Sequence, residues 1–347
     1  MAVNPVGAFT GPAEHVGGKE RDMQFGYKLS TEGFEPAELV RQAVRAEEAG
    51  FDFVEMSDHY HPWLEAQGHS GFTWSMLGMI AGRTSRVGLA TGVTCPTMRY
   101  HPAIVAQAAA TMQLLCDGRF TLGIGAGERL NEHVIGGGWP GAGVRHAMLR
   151  EALEIIRLLW SGGYHSYDGA YLDLEDARVF DLPEALPPIV VAASGTASAG
   201  LAAQLGDGIF AVEPDAGLVD QFLGRGRGGL RYAEASIAYA ATPEAAAKAV
   251  LEKNAWSLTG WKVMSELPNP VNFQATIGTV REEDVLDRFA CGPDPERHVA
   301  AIRRFIDAGY DHIVIANAGP DPDAFLDYFA SELRPRLLAI PTGGRNE

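Results

Sequence analysis

The sequence predicts a (β/α)8 barrel, in which eight parallel strands close into a cylinder surrounded by helices. Two observations lead to this prediction. Short β-rich runs alternate along the chain with segments of helical length and periodicity, which is typical of a parallel sheet with helices outside. The β-rich runs number eight, which favours closure into a barrel over an open sheet. The chain has 347 residues, of which 46% are hydrophobic, so it can bury a large core.

The predicted elements follow one another in a regular order. The strands are expected at Phe25–Leu29, Phe53–Ser57, Val87–Gly92, Phe120–Ile124, Ile189–Ala193, Gly208–Val212, Ala235–Ala240 and His312–Ala316. The helices are expected at Pro36–Ala49, Pro102–Leu115, Arg145–Trp160, Ser198–Leu205, Pro243–Thr259 and Glu296–Ala308, and several of them open with Pro or an acidic residue, as helix starts do. The length beyond a minimal barrel falls in three irregular stretches, Tyr60–Thr73, Gly162–Pro188 and Trp261–Arg281.

Residues 1–22 mix Gly, Pro and charged residues without a continuous apolar stretch, so they do not indicate a secretory signal. We expect them to form a tail before a single barrel domain at residues 23–340. The formal net charge of -16 argues against a nucleic-acid partner, because binding phosphates needs clustered Lys and Arg. Cys95, Cys116 and Cys291 are far apart and odd in number, which predicts neither disulfides nor a metal site and favours the cytoplasm. No apolar run reaches membrane-spanning length.

In barrels of this kind the functional residues lie where the strands end. The second strand is followed by Asp58, His59 and Trp63, which place a titratable pair beside a flat apolar surface. A histidine in this position is also common as hydrogen-bonded scaffolding. The third strand leads into the Gly- and Thr-rich run Thr91–Pro96, where the backbone can approach a planar ligand closely.

The fourth and fifth strands end in small residues. Gly123–Asn131 invites a dinucleotide-binding interpretation, but its third glycine comes one place early for that motif, and a tight turn explains it equally well. Ala192, Ala193, Ser194 and Gly195 open a helix, whose free N–H groups and positive terminus suit a phosphate. Each of these segments could be a turn on its own. Their joint occurrence at four strand ends of one barrel favours a functional site.

Together these segments carry a family resemblance. The matching runs are Phe25–Lys28, Ser57–His59 with Trp63, Pro96–Pro102, Gly125–Glu132, Ala192–Gly195 through Gly208, and Phe325–Phe329 with Leu333–Leu337. Their combination resembles the coenzyme F420-dependent glucose-6-phosphate dehydrogenases, a group within the luciferase-like superfamily of (β/α)8 oxidoreductases. The resemblance extends from about Phe25 to Arg336. It implies a deazaflavin cofactor, a small-molecule substrate and a homodimer.

The resemblance also implies roles for individual residues. His59 is the catalytic imidazole, Trp63 shields the reacting face, and Glu128 lies at the ring edge. The residues that bind the cofactor are Asp58, Gly92, Val93, Cys95, Ala126, Gly127, Asn131, Ala192, Ala193, Ser194 and Gly195, with a non-proline cis peptide expected between Gly92 and Val93. Neutral His59 would take the proton of an alcohol as its hydride leaves, and Glu128 would handle the other proton. Asp58 would face away from His59 on a strand.

The substrate side departs from the family. Trp63 and Val212 are expected to contact substrate, together with Asp215 and Ala275, which stand where the group has basic residues that hold a phosphate. A carboxylate repels a phosphate, so glucose 6-phosphate is not the expected substrate. Arg297 and Lys262 could form a different anion site or be surface charges. An apolar or sugar pocket could be lined by Trp74, Met76, Trp139, Trp256 and Trp261, or these residues could pack in the core.

Two rival functions remain open. One is an FMN-dependent luciferase-like monooxygenase, against which the set of Asp58, His59 and Glu128 argues. The other is a barrel that carries the cofactor without catalysis, which nothing in the sequence favours.

Overall fold

The computed structural model describes residues 23–224 and 228–340, so the predicted tail of residues 1–22 lies outside the described part of the chain. Eight parallel strands form the predicted closed barrel. They are β1 Gln24–Leu29, β2 Phe53–Met56, β3 Gly88–Thr91, β4 Phe120–Ile124, β5 Ile189–Ala192, β6 Gly208–Ala211, β7 Leu230–Ala238 and β8 His312–Asn317. Each strand pairs with the next, and β8 pairs with β1. All eight carboxyl ends therefore meet at one rim, hereafter the open end.

Within the described part of the chain, eight helices have eight or more residues, and they pack outside the barrel. They are α1 Pro36–Ala49, α2 Thr73–Ala81, α3 Pro102–Leu115, α4 Ala142–Trp160, α5 Thr196–Leu205, α6 Ala216–Leu223, α7 Pro243–Lys253 and α8 Pro295–Asp307. Helix α1 shows how the sequence sets both ends: Pro36 suits the first turn, and Gly50 adopts a φ of 87° that L side chains rarely take. None of the described helices has the length and apolarity needed to cross a bilayer.

Two of these eight helices were not among the predicted elements, for different reasons. Helix α2 is apolar around most of its circumference, so it lacks the 3.6-residue alternation that marks an amphipathic helix. Helix α6 has only eight residues. The predicted helix Pro243–Thr259 is also too long, because α7 ends at Lys253 and a separate 3-10 turn follows at Ala255–Leu258.

Strand β7 begins at Leu230, five residues before the predicted start at Ala235. Arg231, Tyr232 and Glu234 hide the strand in the sequence, because the last two are polar side chains of the barrel interior. The upper edge of β7 is also unusual. Its pairing with β6 stops at Ala211 with Ala233, and the short strand Ala290–Cys291 pairs with Ile237 and Ala238 instead.

The stretches predicted to be irregular contain short helices and strands that residue propensities alone do not predict. An antiparallel hairpin, His165–Asp168 with Asp173–Ala177, lies between β4 and β5. Residues 254–281, hereafter the β7 insertion, contain the 3-10 turn and the short helices Trp261–Met264 and Pro270–Thr276. The remaining short helices are Arg129–Glu132, Glu282–Arg288, Pro322–Tyr328 and Arg334–Leu338.

The lower half of the barrel is filled by apolar side chains. Phe53, Phe210, Tyr232 and Val314 form a buried cluster inside the strands, and the Tyr232 ring stacks on His312 at 4.5 Å between centroids. A second and larger core lies between the strands and the outer helices. The predicted site residues follow the carboxyl ends of the strands, so they lie above this cluster at the open end.

Candidate active site

His59 lies between two carboxylates at the open end. Its Nδ1 is 3.1 Å from Oε1 of Glu32, and its Nε2 is 3.4 Å from Oε1 of Glu128. Nδ1 also lies 3.2 Å from the carbonyl oxygen of His61. Acceptors around Nδ1 favour the tautomer that carries its proton there, which leaves Nε2 to exchange a proton with a ligand. The geometry suits a general base with a fixed orientation.

Glu32 is the residue that sequence reasoning missed. It follows β1, whose end was not among the four strand ends singled out, and no local motif marks it. Its carboxylate is buried and accepts a hydrogen bond from the hydroxyl of Ser57 at 2.9 Å. Ser57 is in turn tied to Thr31 through the Thr31 backbone N–H at 3.1 Å. The sequence offers one sign of Glu32: it is an acidic residue in the short segment that follows the first barrel strand, which ends at Leu29.

Asp58 points away from His59, as expected for neighbours along a strand. Its Oδ1 pairs with Arg99 at 2.9 Å, and its Oδ2 accepts a hydrogen bond from Thr94 at 2.6 Å. Arg99 also lies 3.5 Å from Glu132, and burial raises the pKa of Glu132 to about 7 although Arg99 opposes the shift. This network joins the loops after β2, β3 and β4, so the Asp58 carboxylate holds these loops together.

Asn131 connects Glu128 to the loop that carries His59. Its side-chain oxygen accepts hydrogen bonds from the backbone N–H groups of Tyr60 at 2.8 Å and His61 at 3.1 Å, and its amide nitrogen donates to Glu128 at 2.5 Å. The residue is buried. Its polar atoms are thus engaged with the protein, and they fix the spacing between the two proton-handling side chains.

Small residues form a flat area at the ends of β3, β4 and β5, hereafter the shelf. It comprises Gly92, Val93, Gly125, Ala126, Gly127 and Ala192, and the Gly92–Val93 peptide is cis, as the resemblance implies. A Cβ on Gly125 would lie 2.9 Å from Val93, so no side chain fits there. Gly127 has a φ of 74° and covers Cys95, which is buried beneath the shelf. Burial raises the pKa of the Cys95 thiol well above its usual value, so it stays neutral.

The shelf continues into a free helix end. Helix α5 starts after Gly195, and no side chain caps its first N–H groups. The Ser194 backbone N–H instead donates to Ser198 at 3.2 Å. Ala193 is buried, whereas Ser194 is exposed. A planar ring on the shelf with a phosphate at this terminus fits the residues present, because small side chains leave room for the ring and the helix end is positive.

Trp63 joins the catalytic corner to the β7 insertion. Its ring meets His59 edge-on at 4.7 Å, stacks on Trp256 at 4.2 Å and packs against Phe273 at 5.1 Å between centroids. The insertion is also held by a hydrogen bond from the Arg129 backbone N–H to the Ser265 carbonyl at 3.0 Å. Aromatic side chains therefore cover one side of His59.

The remaining aromatic candidates separate into core and surface. Met76 is buried in the main core, and Trp74 packs on Phe120 at 5.9 Å. Trp139 lies under the guanidinium of Arg145, and Trp261 is exposed. Only Trp256 among the five reaches the surroundings of His59, through its stack on Trp63.

The predicted substrate residues lie at the rim. Val212 and Ala275 are exposed, and Asp215 caps α6 by accepting a hydrogen bond from the Gly217 backbone N–H at 2.8 Å. A carboxylate thus fills the helix end that could otherwise attract an anion. Arg297 donates to the carbonyls of Leu286 and Phe289 at 2.7 and 3.3 Å, so its guanidinium holds the chain rather than facing the rim. Lys262 is exposed.

Comparison with known proteins identifies the family of this chain. The model of the luciferase-like monooxygenase family matches residues 23–312. The chain belongs to this family. Among its relatives, a protein of Nocardia farcinica described as an F420-dependent glucose-6-phosphate dehydrogenase is 38% identical over 92% of this chain and 99% of its own. A second protein with that description and the number 2, from Rhodococcus jostii, is 37% identical over 92% of this chain and 99% of its own.

Solved structures extend the comparison. An F420-dependent secondary alcohol dehydrogenase, in complex with an F420-acetone adduct, is 30% identical with a TM-score of 0.85 and covers 91% of this chain and 99% of its own. The F420-dependent tetrahydromethanopterin reductase of Methanopyrus kandleri, at 21% identity and a TM-score of 0.74 over 91% of this chain and 100% of its own, supports the fold alone. The predicted family and the predicted barrel are both confirmed.

Proposed function

We propose that this protein is an F420-dependent dehydrogenase that interconverts an alcohol and its carbonyl compound. The observation that carries the proposal is His59 held between Glu32 and Glu128 beside the shelf. The relatives and the solved structure at 30% identity, all described as F420-dependent dehydrogenases, support the same cofactor. The bound deazaflavin would supply a ring carbon that accepts or returns hydride.

The protein's own residues handle the proton and the orientation. In the oxidising direction His59 Nε2 takes the proton of the substrate hydroxyl, and the buried Glu32 carboxylate stabilises the imidazolium that results. Glu128, 3.4 Å from Nε2, is the second group that can hold a proton, and Asn131 fixes its side chain. Trp63 excludes water from this corner, with Trp256 behind it. In the reducing direction, protonated His59 would return the proton to the oxygen of the carbonyl substrate.

The residues assigned to the cofactor divide by the part they would hold. Gly92, Val93, Ala126, Gly127 and Ala192 would support the ring, and Ala193, Ser194 and Gly195 would bind the phosphate. Asp58, Cys95 and Asn131 would act from behind or beside the shelf through bracing contacts, since their polar side-chain atoms contact other protein groups.

The substrate is proposed to be a sugar or alcohol without a phosphate. Asp215 and Glu213 place exposed carboxylates at the end of β6, and Ala275 offers no charge. Repulsion between carboxylates and a dianion disfavours sugar phosphates. Val212 and Trp63 would contact the substrate on its apolar side.

We further propose a homodimer in the cytoplasm, with residues 23–340 as a single domain. Exposed apolar side chains on the outer helices, among them Met79 on α2 and Ile104 and Leu115 on α3, support self-association. Light scattering after size exclusion tests the dimer. A monomer at all micromolar concentrations would contradict it.

The decisive experiment is a titration of the purified protein with the deazaflavin and with FMN, followed by a screen of unphosphorylated sugars and secondary alcohols. We expect the deazaflavin to bind more tightly and its oxidised absorbance to disappear with at least one alcohol. Tighter binding of FMN would replace this proposal with the luciferase-like monooxygenase alternative.

A further inference from the structure

The inward face of β7 carries polar side chains at a level where the barrel is still open. Tyr232 lies in the buried interior cluster, Glu234 pairs with Lys28 across the barrel, and Ser236 is exposed although it lies within the strand. Ala235 and Ile237 between and beyond them are buried in the outer core. Side chains alternate along a strand, so the three polar residues share the inner face.

The neighbours of this face explain why it is open. Ser236 pairs with Ala316 on β8, whose side chain is a single methyl group. On the other edge β6 stops pairing at Ala211 with Ala233, so Val212 comes next, level with Glu234. Val212 is exposed. Solvent therefore reaches Glu234 between β6 and β8, and the accessible space at Glu234 and Ser236 is hereafter the opening.

Lys28 occupies the bottom of this space and is fully engaged. Its ammonium group lies 2.8 Å from Oε1 of Glu55, 2.9 Å from Oε2 of Glu234 and 3.1 Å from the carbonyl oxygen of Gly92. These contacts use its three N–H donors. Side-chain exposure rises from 1% at Glu55 through 10% at Lys28 to 19% at Glu234, so Glu234 is the member that faces the opening.

Two acceptors at the opening are left for a ligand. Within the described part of the chain, neither Oε1 of Glu234 nor the hydroxyl of Ser236 has a hydrogen-bond partner. The positive charge of Lys28 is already matched by Glu234 and Glu55, so it attracts no further anion. Burial raises the pKa of Glu55 and Lys28 opposes the shift, which limits any surplus negative charge at neutral pH. The opening therefore favours an uncharged group that donates a hydrogen bond.

We propose, on the basis of the function proposed above, that Glu234 and Ser236 bind a second hydroxyl of the substrate, one that is not oxidised. The substrate class is then an uncharged molecule with several hydroxyl groups, such as a sugar or a cyclic polyol, rather than a simple alcohol. A site built to accept a hydroxyl hydrogen discriminates strongly against an analogue that lacks the hydroxyl, because a polar group is then left unpaired.

The test compares cyclohexanol, cis-1,3-cyclohexanediol and myo-inositol as hydride donors to the deazaflavin. These compounds share one carbon ring and differ in their hydroxyl groups. We expect kcat/KM to be higher for the better of the two polyols than for cyclohexanol, by about tenfold or more. Glu234→Leu leaves Lys28 paired one-to-one with Glu55, and should lower the polyol-to-cyclohexanol ratio about tenfold. Ser236→Ala should lower it about threefold.

Controls separate this inference from the function on which it rests. Glu184→Leu makes the same change at an exposed position between the hairpin and β5 and should leave the ratio unaltered. Cofactor affinity, measured by fluorescence quenching, should change less than twofold in Glu234→Leu.

A wild-type preference for cyclohexanol, or an unaltered ratio in both Glu234→Leu and Ser236→Ala, would overturn the inference. The proposed dehydrogenase function would still stand. Loss of cofactor affinity in Glu234→Leu would assign the cluster to cofactor support instead. Failure of every alcohol to reduce the bound deazaflavin would reject the proposed function itself.

Discussion

Around β3, β4 and β5 the open end consists of backbone and small side chains, whereas around β6, β7 and the β7 insertion it consists of carboxylates and aromatic rings. The first region, the shelf, leaves space and presents a free helix end. The second closes space through Trp256 and Phe273 and presents Glu234 and Asp215. The difference suits a shared cofactor on one side and a chain-specific substrate on the other. His59 lies between the two regions.

The largest expected effect tests whether His59 serves chemistry alone. His59→Ala should lower kcat by about a hundredfold or more, the scale of a lost general base, and leave the deazaflavin dissociation constant within about twofold. Stopped-flow reduction of the cofactor and fluorescence titration measure the two quantities. If affinity for the deazaflavin fell as much as kcat, His59 would serve cofactor binding, and the shelf and the catalytic residues would not be separate regions.

The next effect concerns Glu32, whose carboxylate contacts His59 and the hydroxyl of Ser57. Glu32→Gln keeps an acceptor for Nδ1 and removes the charge that stabilises the imidazolium. We expect kcat to fall about thirtyfold with little change in KM, because the charge matters only when His59 holds the extra proton. Glu35→Gln, which changes an exposed carboxylate just before α1 whose side chain makes no capping hydrogen bond, is the control. An unchanged kcat would show that Glu32 is only structural.

A third prediction changes the substrate region without touching the shelf. Placing Lys at both Asp215 and Ala275 should raise kcat/KM for glucose 6-phosphate more than tenfold, because each well-placed charge-assisted hydrogen bond contributes about 1.5–3 kcal/mol. Activity on the unphosphorylated sugar serves as the internal control. Wild-type preference for the phosphorylated sugar would contradict the interpretation of the rim.

The smallest effect lies beside the shelf and concerns stability. Burial raises the pKa of Glu132 to about 7 from an ordinary value near 4.5, with Arg99 opposing and Glu128 and Asp58 adding to the shift. Between these two pH values the folded protein keeps a proton that the unfolded chain has lost, so stability falls as pH rises through this window. Glu132→Gln should reduce that fall by about 1–2 kcal/mol, a few degrees in Tm between pH 5 and 8. Parallel curves for the two proteins would show that Glu132 is ionised throughout.

How far the sequence alone leads differs between the two regions for a physical reason. The glycines and alanines of Gly123–Asn131 and Ala192–Gly195 predict the shelf from the local sequence, because the backbone conformation at these positions requires small residues. The predicted bounds of α1 and α3 match the structure, because a proline marks each start and the helical periodicity marks each length. The start of β7 and the stack of Trp63 on Trp256 depend on residues that are distant in the chain, so no local pattern predicts them. Glu32 has a local sign only in its position after β1, and its role depends on the distant His59.

Position 92 shows how such distant dependence constrains future sequence change. A Cβ on Gly92 would overlap the carboxylate of Glu55, which also binds Lys28. Gly92→Ala therefore requires the Glu55 side chain, which is buried and held by Lys28, to move or to be shortened. The two positions form an epistatic pair, and the free energy of combining Gly92→Ala with Glu55→Ala should differ from the sum of the single changes by about 1 kcal/mol or more.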